Sequence, residues 1–158
     1  DVIREMASVV GGIVGAGTVI TPADVAVAVE AGARFAVAPG ATDRLLDACA
    51  EAGLPLLPGA ATASEAMRLL ARGHDLLKFF PAEAAGGVAA LRALAGPLPD
   101  IAFCPTGGIT ARNAASYLAL SNVVCVGGSW IAPADLVAAG DHDAITALAR
   151  AAAGLRPG

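Results

Sequence analysis

Apolar residues fall along this chain in short runs rather than long stripes. Six runs read as strands: Gly12 to Ala16, Phe35 to Ala38, Pro55 to Leu57, Leu76 to Phe80, Ile101 to Cys104 and Val123 to Val126. Each is closed by Gly, Pro or Thr and followed by a stretch with helical character, near Ala23 to Glu30, Asp43 to Ala52, Glu65 to Arg72, Val88 to Leu94, Arg112 to Leu120 and Asp143 to Ala152. Start signals support the helices. Thr21-Pro22 supplies an N-cap with proline at the first helical position, and Thr62 to Glu65 has the capping-box pattern. Strand and helix alternate at a spacing of roughly twenty residues, which predicts parallel βαβ units. No linker or low-complexity segment divides them, so residues 1–158 read as a single domain.

Two architectures use such units, the doubly wound sheet and the (β/α)8 barrel. Nearly every strand here ends in a distinctive loop: GAGT, APG, LPG, KFFPAE, CPTGG and VGGSW. An open sheet concentrates its chemistry at one switch point, whereas a barrel brings all the strand ends to one face. The spread predicts an α/β TIM barrel represented by about six of its eight βα units.

Composition narrows the function. The chain is 56% hydrophobic with only 4% aromatic residues, a profile of Ala-rich helices on small-residue strands. A net charge of −4 provides no basic field for nucleic acid, and no Lys/Arg run interleaves with aromatics. The three cysteines, Cys49, Cys104 and Cys125, form no disulfide framework and no metal-like spacing, so buried reduced thiols and the cytoplasm are expected. The uncharged run Asn113 to Ala134 is long enough to prompt a membrane test, but Ser121-Asn122, Gly127-Gly128 and Pro133 break it, and no membrane association is expected. The chain begins at Asp1 with no initiator Met or signal-like region, which suggests a piece of something longer.

Lys78 is the residue most in need of explanation, because "HDLLKFFPAE" otherwise reads as a strand buried on both faces. A lysine whose stem packs while its ammonium reaches solvent is the bland reading. Near the end of a central strand, the amine would instead point into the barrel mouth. Desolvation by Phe79, Phe80 and the leucines would favour the neutral amine that attacks a ketone.

Two glycine pairs on consecutive strand ends, Gly107-Gly108 in "FCPTGGIT" and Gly127-Gly128 in "CVGGSW", let backbone N–H groups approach a ligand, with Ser129 as a polar partner. Barrels often bind phosphate at their last two loops. "GGIVGAG" is a poor dinucleotide fingerprint, because its spacing fails and no acidic residue ends the next strand. Thr18 offers a hydroxyl at a strand end. His74, His142 and the Asp141-His142-Asp143 run read as solvated turn and cap residues, while Tyr117 and Trp130 read as packing. Glu83 could stabilise a helix N-terminus or tune Lys78.

The segments "IVGAGTV", "FAVAPG", "LPLLPG", "KFFPAEAAGGVAALRALAGP", "FCPTGGI", "YLAL" and "CVGGSWIAPAD", in this order, resemble the 2-keto-3-deoxy-6-phosphogluconate (KDPG) aldolase family. The resemblance covers the whole chain. It implies a homotrimer of TIM barrels that cleaves KDPG to pyruvate and glyceraldehyde 3-phosphate, and 4-hydroxy-2-oxoglutarate (KHG) as a second substrate, without metal or organic cofactor. Lys78 matches the Schiff-base lysine and Thr18 a threonine that holds the pyruvate carboxylate. Thr106, Gly107, Gly108, Gly128 and Ser129 match the distal, phosphate end of the substrate site, and Pro39 and Phe80 match pocket walls. The family's strand resembling "EVTLRT", with its acid/base glutamate and carboxylate-binding arginine, has no counterpart here. The chain is therefore expected to start in the second helix, with the first two strands missing and the isolated piece inactive. The related aldolase acting on the galactonate epimer, and an inactive phosphate-binding fragment, are the alternatives.

Overall fold

The computed structural model describes residues 2–155. Its elements are α1 (Val2–Ala7), β1 (Gly15–Gly17), α2 (Pro22–Glu30), β2 (Phe35–Val37), α3 (Asp43–Glu51), β3 (Leu56–Leu57), β4 (Gly59–Ala60), α4 (Ala63–Ala71), β5 (Leu76–Phe79), α5 (Gly87–Ala95), β6 (Ala102–Pro105), α6 (Ala114–Leu118), a 3₁₀ turn (Ser129–Ile131), α7 (Ala134–Ala139) and α8 (His142–Ala153). They alternate between strand and helix as far as α6, except where β3 runs directly into β4, and the last helices follow one another with no strand between them. The strands form two three-stranded sheets, in the orders β1-β2-β3 and β4-β5-β6. The chain divides into two compact units, one running to Lys78 and the other from Phe79. No described helix is long and apolar enough to cross a membrane.

In the first unit β1 pairs parallel with β2, Ala16 opposite Ala36, and β2 pairs parallel with β3, Ala36 opposite Leu56. Its core is built from small side chains, Ala16, Ala28, Ala33, Ala36 and Ala38, closed by Val19, Val25, Leu45 and Leu54. Small residues allow the helices to sit close on the strands, which explains how so few aromatics suffice. The helix starts follow the predicted chemistry. Thr21 accepts from the Asp24 N–H while the Asp24 carboxylate accepts from the Thr21 N–H, and Thr62 and Glu65 repeat the arrangement on α4.

The second unit holds the larger core residues. Phe79 and Phe103 meet edge to face with ring centroids 6.0 Å apart, and Leu91 and Tyr117 are fully buried as well. Asp141 caps α8 through the Ala144 N–H, as the polar run suggested.

One predicted strand is corrected. Residues 123–126 do not form a continuous strand, because only Val123 and Gly127 make ladder bridges, to Phe103 and Thr106. The Val124 N–H donates to Phe103 O and the Gly127 N–H to Pro105 O, so three steps on one side span two on the other. That is a bulge, one extra residue in the outer segment. Val124 and Cys125 stand exposed in it. The expectation that all three cysteines are buried therefore fails at Cys125, while Cys49 and Cys104 are buried.

Candidate functional site

Lys78 is the third residue of β5 and is 8% exposed, between Leu77 at 0% and Phe79 at 1%. Strand alternation sends its side chain to the face opposite theirs. Its N–H donates to Pro58 O at 2.8 Å, fixing the strand against the residue before β4. Burial at this level disfavours the reading in which the ammonium stands in open solvent.

Thr18 follows β1 directly and adopts φ 59°, the only positive φ at a non-glycine residue among those described. For a β-branched residue this is an outlier, costing about 1–3 kcal/mol. Thr18→Gly is therefore expected to raise the melting temperature by about 2–6 °C, converting roughly 1 kcal/mol or more of released strain. A differential scan of the two proteins checks this. Pro39 lies just beyond β2, with its carbonyl against Gly59.

The remaining candidates lie in the second unit. Phe80 follows β5, and its ring packs on Gly107. Thr106, Gly107 and Gly108 follow β6, with both glycines left-handed at φ 99° and 79°. The carbonyls of this loop are all taken. Thr106 O accepts from the Ala82 N–H, Gly107 O from the Glu83 N–H and Gly108 O from Asn113 Nδ2. The N–H groups of Gly107 and Gly108 have no protein acceptor among the described residues, and neither do those of Gly128 and Ser129 beyond the bulge. A loop whose oxygens are turned away and whose N–H groups are left over favours an anion. Gly128 is held open by contact, since a Cβ there would lie 2.0 Å from the Trp130 ring.

Sequence reasoning missed one pair. The Tyr117 hydroxyl on α6 donates to Glu83 Oε1, and burial, reinforced by that carboxylate, pushes the phenol's pKa well above its usual value. Glu83 makes no cap hydrogen bond to α5, and a Cβ at Gly87, the first residue of that helix, would lie 3.6 Å from Glu83 Oε1. The partners are 34 residues apart and no local pattern joins them.

Cys125 is unusual in another way. A hydrogen bond with Cys104 lowers its thiol pKa to about 7, outweighing a smaller opposing effect of desolvation. Alkylation of Cys125 by iodoacetamide should rise with a midpoint near pH 7, and Cys104→Ala should move the midpoint toward the ordinary thiol value of about 8.5. Mass-resolved alkylation across pH measures both. Among the described residues no group of three His, Cys, Asp or Glu side chains could hold a metal ion.

The family described as KDPG and KHG aldolase matches residues 1–148. The chain belongs to that family. It is 54% identical over 153 residues to the KHG/KDPG aldolase of Escherichia coli K12, covering 96% of this chain and 72% of that protein. Among solved structures it resembles the KDPG aldolase of Legionella pneumophila, captured with pyruvate as a covalent carbinolamine intermediate, at TM-score 0.89 and 45% identity, covering 95% of this chain and 75% of that one. The Zymomonas mobilis enzyme with 3-phosphoglycerate aligns at TM-score 0.89 and 42% identity, covering 98% and 73% of the two chains. The aldolase reading of "KFFPAE", "CPTGG" and "GGSW" thus rests on whole-chain similarity as well as on the motifs.

Proposed function

We propose that this protein is a class I aldolase that cleaves KDPG to pyruvate and glyceraldehyde 3-phosphate, and KHG to pyruvate and glyoxylate, through a Schiff base on Lys78. The observation that carries the reading is Lys78 itself, the chain's only lysine, buried within β5 of an aldolase-family chain. In this reading Nζ attacks the C2 ketone and loss of water gives an iminium. The C4 hydroxyl gives up its proton to a base and the C3–C4 bond breaks. Its electron pair passes into the iminium as an enamine, and the phosphorylated aldehyde leaves. Protonation at C3 and hydrolysis then release pyruvate and restore the amine.

The other assignments follow from the same reading. Thr18, strained into place, holds the carboxylate, and the N–H groups of Gly107, Gly108, Gly128 and Ser129 receive the phosphate. Pro39, Phe80 and Thr106 line the substrate. The six βα units are those of a TIM barrel, and the protein works as a cytoplasmic homotrimer without metal or organic cofactor.

Turnover of KDPG, of its galactonate epimer and of KHG, measured side by side, tests the function. Cleavage of neither phosphorylated epimer would sink it, and preference for the galactonate would reassign the substrate. The phosphate assignment has its own check. Gly128→Val forces its side chain into Trp130, where even a Cβ lies 2.0 Å from the ring. KM for KDPG should rise by about tenfold or more, the scale of a lost charge-assisted hydrogen bond, with less effect on KHG.

A further inference from the structure

Glu83 poses a problem for an anion-binding loop, because a carboxylate beside a nest of N–H groups would repel a phosphate. The surrounding contacts answer it. Gly108 sits directly on the Glu83 stem, since a Cβ at Gly108 would lie 2.5 Å from Glu83 Cγ and 2.8 Å from its Cβ. The Glu83 N–H holds Gly107 O at 3.1 Å. On the other side a Cβ at Gly87 would lie 3.2 Å from the Tyr117 hydroxyl and 3.6 Å from Glu83 Oε1. Glu83 is thus held between the Gly107-Gly108 turn and the first turn of α5, and the Tyr117 hydroxyl fixes its carboxylate there. Tyr117 is fully buried, so its hydroxyl has little freedom to move with the acid.

We propose that the Tyr117–Glu83 hydrogen bond is a positioning pair that sets the preference for phosphorylated over unphosphorylated substrate, by holding the Gly107-Gly108 turn in its left-handed form and the carboxylate off the anion. The proposal rests on the phosphate assignment above. Both residues act through the turn, not on the reacting carbons. The geometry makes the hydroxyl the critical group, because the Tyr117 ring packs whether or not it carries an oxygen.

The test compares wild type, Tyr117→Phe, Glu83→Gln and Glu83→Ala, reading inorganic phosphate affinity by calorimetry and steady-state cleavage of KDPG and KHG. Tyr117→Phe should weaken inorganic phosphate and raise KM for KDPG by about tenfold each, the scale of one lost charge-assisted hydrogen bond. Its kcat and its handling of KHG should stay within about twofold, because the pair acts on the phosphate-binding turn and not on the reacting carbons. Glu83→Gln keeps an acceptor for the phenol and should remain near wild type, while Glu83→Ala should follow Tyr117→Phe. Unchanged phosphate affinity in Tyr117→Phe, or equal losses on both keto acids, overturns the proposal, as does a wild-type protein that binds no phosphate. The two readings separate cleanly. If wild type binds phosphate and loses it on Tyr117→Phe but cleaves neither keto acid, the aldolase reading falls and the pair stands. If wild type cleaves KDPG while Tyr117→Phe binds phosphate normally, only the pair falls.

Discussion

Lys78→Met is expected to abolish the covalent pyruvate adduct and to lower KDPG cleavage by about 10⁴-fold or more, the scale on which removal of a covalent nucleophile is felt. Methionine is close to lysine in length and shape, so it fills the space in β5 between Leu77 and Phe79 with little loss of packing. The effect should therefore appear in rate and not in folding. Borohydride reduction in the presence of pyruvate, followed by peptide mapping, gives the direct readout. Wild type should carry the modification on the peptide containing His74 to Glu83, and the variant should carry none. No second lysine exists to take over the role. An adduct that persists in Lys78→Met, or a variant that keeps most of its activity, would remove the central residue from the proposed mechanism.

Gly59→Ala is expected to be the most damaging single methyl in the first unit. A Cβ at Gly59 would stand 2.1 Å from Pro39 O, 2.2 Å from Pro39 C and 2.6 Å from Gly40 N. All three atoms are backbone, so no rotamer change relieves the overlap, and β4 and the loop after β2 must separate. Overpacking of this kind costs about 3 kcal/mol or more, which lowers the melting temperature by roughly 6–12 °C. Gly40→Ala is the control one residue beyond Pro39, since a Cβ there meets nothing within 4 Å. It should melt within about 2 °C of wild type. Equal melting of the two variants would mean that the approach of Gly59 to Pro39 is not enforced.

The pattern of the chain made some features legible and hid others for identifiable reasons. β2 and β5 were readable because an apolar run bounded by Gly, Pro or Asp has few alternatives, and α2 and α4 because Thr21 and Thr62 announce their first turns within four residues. β4 was not readable, since a two-residue strand is too short to show a period. The bulge after Val123 depends on which N–H reaches Pro105 O, a fact of the neighbouring strand. The apolar company of Cys125 suggested burial for the same reason that it failed, because the bulge turns that residue outward. At Thr18 composition points the wrong way, as a left-handed residue is normally glycine and this one is β-branched. Lys78, Gly107, Gly108 and Gly128 could be singled out as candidates from motif; the bond between Glu83 and Tyr117 could not, because it joins the turn after β5 to helix α6, 34 residues on.

The loop after β6 has a consequence for how this molecule can change over generations. Its leftover donors are main-chain amides, present whatever side chain a codon specifies, so most nucleotide substitutions nearby leave them in place. They are lost through bulk, through a rigid ring that removes the hydrogen, or through an insertion that moves the turn. Drift in this region should therefore be silent over many steps and abrupt at a few, with Gly108 among the abrupt ones because Glu83 already fills the space a methyl would need.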